Sequence, residues 1–152
     1  MLLDRIAADL QAAMRARDQL RLSTLRSVRS AATNLQIELR TKGRAELTDD
    51  DVVAVLQKQA KQRRDAIEQY DAGGRKDLSD RESAELAIIE SYLPAQLSDD
   101  EIREVVAALI ESVAASSPAD MGKVMGPAMK ELRGKADGRR VQEIVREILS
   151  RA

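Results

Sequence analysis

Apolar side chains return every three or four residues along almost the whole chain, the period of a helix with one buried face. Leu3, Ile6, Leu10, Ala13 and Met14 predict a first helix over about Leu2–Ala16. Leu25, Val28, Ala32, Leu35 and Leu39 share one stripe of a second, over about Gln19–Arg40, parted from the first near Asp18. Gly43 is placed to stop it, because glycine accepts the positive φ of a helix end. Val52, Val55, Leu56, Ala60, Ile67 and Tyr70 mark a third helix over about Asp49–Tyr70. Thr48 reads as its N-cap, and Asp49, Asp50 and Asp51 meet the positive end of its dipole.

Gly73-Gly74 breaks the third helix. Ser79-x-x-Glu82 has the form of a capping box and predicts a fourth that runs to Leu93, before Pro94. A second box, Ser98-x-x-Glu101, opens a fifth with Ile102, Val105, Val106, Leu109 and Ile110. Ser117-Pro118-x-Asp120 starts a sixth, carrying Met121, Val124, Met125, Met129 and Leu132 and ending near Gly134. Asp137 caps a seventh with Val141, Ile144, Val145, Ile148 and Leu149. No alternation of period two remains, so the predicted fold class is all-α. The stretch around Pro94 is the expected boundary between an N-terminal multihelical domain, 1–95, and a small C-terminal three-helix domain, 96–152.

Composition narrows the chemistry. The 152 residues include no Cys, His, Trp or Phe, and the aromatics are Tyr70 and Tyr92 alone. A thiolate nucleophile, the commonest general base and the commonest metal ligand are all missing. Two tyrosines cannot build a platform for stacking single-stranded bases. No catalytic residue, metal or cofactor is expected. No apolar run reaches the length of about 18 residues that a membrane span needs. Met1-Leu2-Leu3-Asp4 does not resemble a secretory signal, so a cytoplasmic location is expected.

The formal charge of −1 conceals segregation. Residues 15–44 carry eight basic and two acidic side chains, residues 98–120 one basic and six acidic, and residues 121–152 eight basic and four acidic. Arg26, Arg29 and Arg40 flank the apolar stripe of the second helix, where they form either a ridge for phosphate or a solvated face. Arg63 falls inside the apolar stripe of the third helix, so it needs a carboxylate or an exit to water. Glu85 or Glu82 of the fourth helix is the expected partner.

The most distinctive stretch is Asp120–Val141. Gly122 and Gly126 stand one turn apart in a helix, where each glycine costs about 1 kcal/mol against alanine. Close backbone approach by a neighbouring helix or a ligand would explain them. Met121, Met125 and Met129 form an adaptable apolar row. Gly134-Lys135-Ala136-Asp137-Gly138 reads as a tight turn. Lys123, Lys130, Lys135, Arg139 and Arg140 cluster in sequence around it, and with Arg26 and Arg29 they are the candidate phosphate contacts.

Gly122-Lys123-Val124-Met125-Gly126-x-x-Met129 with Gly134-Lys135-Ala136-Asp137-Gly138 resembles the hallmark of the YqeY family. So do Gln59-x-x-Gln62-Arg63-Arg64-Asp65-x-Ile67-Glu68-Gln69-Tyr70 and Glu90-x-Tyr92-Leu93-Pro94-x-Gln96-Leu97-Ser98. Pro127 departs from the more usual residue at its position. The resemblance implies an all-helical protein similar to the tail of GatB, a subunit of the glutamine-dependent aminoacyl-tRNA amidotransferase. In GatB the tail is associated with tRNA rather than with bond making, and on that basis such proteins are grouped with carbon–nitrogen ligases that use glutamine as amide donor.

This chain lacks the nucleophile and the phosphate loop that such a ligase needs. The expected function is therefore a tRNA-associated helical module, with tRNA or a tRNA-modifying or aminoacylation enzyme as partner. The alternative is a protein–protein adaptor with no nucleic-acid affinity, whose glycine groove and methionine row receive a partner helix.

Overall fold

The computed structural model describes residues 1–44 and 46–151. Among them are seven α-helices, one short 3-10 turn and no strand. In order they are α1 (Leu2–Ala16), α2 (Gln19–Thr41), α3 (Asp49–Ala72), α4 (Lys76–Glu90), α5 (Asp99–Ser112), the turn Pro118–Asp120, α6 (Met121–Leu132) and α7 (Gly138–Arg151). They group into two compact units, Met1–Leu93 and Pro94–Ala152. No helix of the described residues is long and apolar enough to cross a membrane.

In the first unit, α1 and α2 are separate helices. Arg17 turns left-handed at φ 56°, and the Asp18 carboxylate accepts the Arg21 N–H at 3.1 Å. Gly43 ends α2 with φ 85°. At the start of α3 Thr48 and Asp51 cap each other: the Thr48 hydroxyl accepts the Asp51 N–H at 3.2 Å, and the Asp51 carboxylate accepts the Thr48 N–H at 2.8 Å. That backbone bond, helped by Arg44, holds the Asp51 carboxyl below its ordinary value. The neighbouring Asp49 accepts the N–H of Leu2 and joins the starts of α1 and α3. Ile6, Leu10, Leu25, Val28, Val52, Leu56 and Ile89 fill the core between these helices.

The start of α4 departs from the expectation. It begins at Lys76, not at Ser79, and Ser79 is buried inside it. Gly74, at φ 71°, reverses the chain so tightly that the helix resumes at once. Arg75 forks onto the Asp77 carboxylate at 3.2 and 3.1 Å in the first turn. Ser-x-x-Glu is also the spelling of a buried serine in a helix interior, and that is what it means here. The same helix ends at Glu90 rather than Leu93. Residues 91–93 turn and drop Tyr92 and Leu93 into the core.

The second unit has its own core, built from Ile102, Val106, Val124, Ala128, Leu132, Val141, Ile144, Val145 and Leu149. Ser98 and Glu101 form the box that opens α5. The Asp120 carboxylate accepts the N–H groups of Ser116 and Ser117 at 2.9 and 3.3 Å, which fixes the entry to α6. Gly134, at φ 78°, turns the chain out of α6, and Asp137 caps α7 by accepting the Arg139 N–H at 3.3 Å.

Candidate nucleic-acid interface

The corner between α6 and α7 is held from below. The Gln96 side-chain amide donates to the Gly134 carbonyl at 2.7 Å and to the Pro94 carbonyl at 2.8 Å, and the Leu97 N–H donates to the Lys135 carbonyl at 2.9 Å. The Pro94-x-Gln96-Leu97-Ser98 stretch and the Gly134–Gly138 turn, far apart in sequence, are thus one structural feature. Sequence reasoning missed the role of Gln96. Its signal was its place in the Pro94-x-Gln96-Leu97-Ser98 motif, but its partner is a backbone carbonyl that no side-chain pattern reveals. With the turn's backbone occupied, the Lys135 side chain projects into solvent.

The candidate cations of this unit divide into two groups. Arg140 is tied: it donates to both Asp99 oxygens at 3.1 and 2.8 Å and to Glu143 at 2.9 Å. Those bonds raise the arginine's pKa further and lower that of Asp99, and they join the start of α5 to α7. Lys123 lies 3.5 Å from Asp120. Lys130, Lys135 and Arg139 are exposed, and their side chains form no hydrogen bond or ion pair among the described residues.

Of the two explanations for the glycines of α6, approach by a neighbouring helix is not seen among the described residues. A Cβ at Gly122 or Gly126 would meet nothing within 4 Å. Both face solvent with Lys123, Pro127 and Lys130, while Met121, Met125 and Met129 turn inward and pack on the unit's core. Glycines and methionines therefore do not line one groove. Gly126 has a local reason as well. Pro127 follows it inside the helix, and a proline ring clashes with the Cβ of a preceding α-helical residue. The crowded glycine is Gly138, whose Cβ would stand 3.0 Å from the Met129 methyl.

In the first unit Arg26 and Arg29 lie on one exposed face of α2 and border a shallow groove of about 380 Å³ with Ser30, Thr33 and Asn34. Arg63, by contrast, is internal. Its Nε lies 3.5 Å from Glu85 of α4, each side chain 12% exposed. Its Nη1 donates to the Gln59 side chain at 2.6 Å, and the same Gln59 oxygen accepts from Ser27 of α2 at 3.2 Å. Glu85 also faces Arg81 at 3.6 Å. Three helices of the unit meet through this chain of polar groups. Near the end of α4 the Tyr92 hydroxyl donates to Asp9 of α1, and the Arg5 guanidinium lies 4.8 Å from the ring centroid. Burial, with the facing Asp9, pushes the Tyr92 phenol up to about 12.

These features define an all-α protein with two small cores, internal arginine ties and a separate set of unpaired surface cations. The chain belongs to the YqeY family: the model described as Yqey-like protein matches residues 3–149. Relatives with the name altered inheritance of mitochondria protein 41, mitochondrial, are similar along much of it. That of Pyrenophora tritici-repentis is 28% identical over 98% of this chain and 81% of its own length. That of Kluyveromyces lactis is 33% identical over 89% and 70%, and that of Lachancea thermotolerans 36% over 72% and 58%. These names overturn the expectation of a cytoplasmic location, because each describes a mitochondrial protein. The residues of Asp120–Val141 that carried the resemblance lie within the matched span.

Proposed function

We propose that this chain is an RNA-associated helical module that contacts the phosphates of folded tRNA and makes no bond of its own. The observation that carries the reading is the outward face of α6 with the corner after it. Gly122 and Gly126 leave the helix bare, Lys123 and Lys130 flank them, and Lys135 and Arg139 stand unpaired on a turn whose backbone is pinned by Gln96. Small residues let a ligand backbone come close, and cations near them, Lys130, Lys135 and Arg139 unpaired and Lys123 shared with Asp120, favour a polyanion. The resemblance to the tRNA-associated tail of GatB points the same way. The scarcity of aromatics makes phosphate and shape, not base stacking, the mode of contact.

The adaptor reading is weaker, because the methionines that would have lined a groove for a partner helix pack on this unit's own core. What α6 turns outward is Gly122, Gly126, Pro127, Lys123 and Lys130, with the single carboxylate Glu131 near its end. The test is a gel shift with total tRNA at low salt. Retardation at micromolar protein that disappears as salt rises is the expected result; no retardation rejects the reading. Purified chain supplied with glutamine, ATP and aminoacyl-tRNA is expected to show no amidation.

A further inference from the structure

We infer that the α2 groove of the first unit, with Arg26 and Arg29 at its edge, is a second phosphate-binding surface that takes the sugar–phosphate backbone of a folded RNA. The inference rests on the RNA reading and adds to it a surface in the other unit.

Pairing is the rule for the arginines of α3, α4 and the turns before them. Arg44 meets Asp51, Arg63 and Arg81 meet Glu85, Arg64 meets Glu90, and Arg75 meets Asp77. Arg26 and Arg29 form no hydrogen bond or ion pair among the described residues. The sequence denies them one locally. Positions three and four residues to either side of Arg26 hold Leu22, Ser23, Arg29 and Ser30, and those around Arg29 hold Leu25, Arg26, Ala32 and Thr33. Acid–base pairs at this spacing can balance a solvated helix face, as Glu38–Lys42 does further along α2. Here two guanidiniums one turn apart repel each other with no carboxylate between them. An anion seated between them would relieve that repulsion.

The neutral side chains in the groove suit an anion too. Elsewhere on α2 the hydroxyls of Ser23 and Thr24 donate to the Leu20 carbonyl, and that of Thr41 donates to the Glu38 carbonyl. Among the described residues Ser30 and Thr33 make no such bond, so their hydroxyls and the Asn34 amide remain available as donors. No carboxylate among the described residues lines the groove. Asp4 enters only the adjoining hollow of about 290 Å³, which shares Arg29 and Thr33. Two planar forks with hydroxyl and amide donors along one helix face match phosphodiester oxygens, which accept bidentate bonds from arginine. A continuous backbone supplies the several phosphates that a groove running from position 26 to 34, about 12 Å of helix, can meet.

The experiment titrates total tRNA with the full chain and with R26Q/R29Q at several salt concentrations. Each protein is first checked for an unchanged melting temperature. The double variant is expected to bind about tenfold more weakly, with a salt slope lower by about two, one for each phosphate that an arginine no longer neutralises. K42Q, which removes a cation that Glu38 already faces, is expected to leave both values unchanged. Wild-type binding with an unaltered R26Q/R29Q slope overturns the inference and spares the RNA reading, whereas no wild-type binding sinks both. An equal loss in K42Q, or a loss in R26Q/R29Q confined to retention on phosphatidylserine vesicles, would also overturn it.

Discussion

The α3–α4 hairpin of the first unit and the α5–α7 junction of the second are each closed by an arginine that reaches a carboxylate on another helix. Arg63 does so inside the unit, 12% exposed, with Gln59 and Ser27 completing the network. Arg140 does so at the surface, 33% exposed, with better hydrogen bonds to Asp99 and Glu143. The difference lies in what remains when one partner is removed. Losing Glu85 leaves Arg63 charged in an apolar stripe, with only the neutral Gln59 to offset its desolvation. Losing a partner of Arg140 leaves a charge that water takes over. Better geometry therefore belongs to the weaker tie. Both arginines are engaged by carboxylates of their own unit, unlike the exposed cations with no partner.

The largest expected effect is at the internal tie. Glu85→Ala, which strands Arg63 and also frees Arg81, should lower the stability of the first unit by about 3 kcal/mol in urea denaturation. Removing both charges with Arg63→Met and Glu85→Leu should recover much of that loss; a double variant no better than Glu85→Ala would break the comparison. Next is Tyr92→Phe, which leaves Asp9 without its hydroxyl donor and should cost about 1.5 kcal/mol. The phenol's pKa is raised on folding, from 10.0 to about 12, so its contribution is whole below pH 10 and is lost as pH climbs towards 12. Absorbance titration should find a late-ionising phenol that Tyr92→Phe abolishes.

Gly122→Ala should raise the thermal stability of the second unit by about 0.5 kcal/mol, since a Cβ there meets open space, while weakening tRNA binding. Gly126→Ala should not match that gain, because of Pro127. The smallest effect is expected at the surface tie, where Arg140→Ala should destabilise the second unit by less than about 0.5 kcal/mol. Asp99 is lowered on folding by Arg140. Its contribution is therefore present above the ordinary carboxylate range and lost as pH falls through the depressed value. Acid denaturation of Arg140→Ala should lack that component.

The helices were legible because apolar residues at helical spacing, with Gly43, Thr48, Ser98 and Asp137 at the ends, all point to one structure. The start of α4 was not, because Ser79-x-x-Glu82 is spelled like a cap although the chain had already resumed its helix after Gly74. Arg63 could be read as needing a partner, since an arginine in an apolar stripe must find one. That Gln59 and Ser27 join it depends on how α2 lies against α3, which no single-helix pattern records. At the candidate interface the lysines and arginines were visible as letters. Which of them stay unpaired was not, because Asp99 and Arg140 lie 41 residues apart in sequence and meet only when the second unit folds.

The central claim is that cations left unpaired by the fold belong to a ligand's phosphates. The most direct test is the salt dependence of total tRNA binding by K130Q/K135Q/R139Q against the wild-type chain. Wild-type affinity should fall linearly on a log–log plot as salt rises, and the variant's slope should be shallower by about three. A variant that binds with the wild-type slope and affinity would contradict the account.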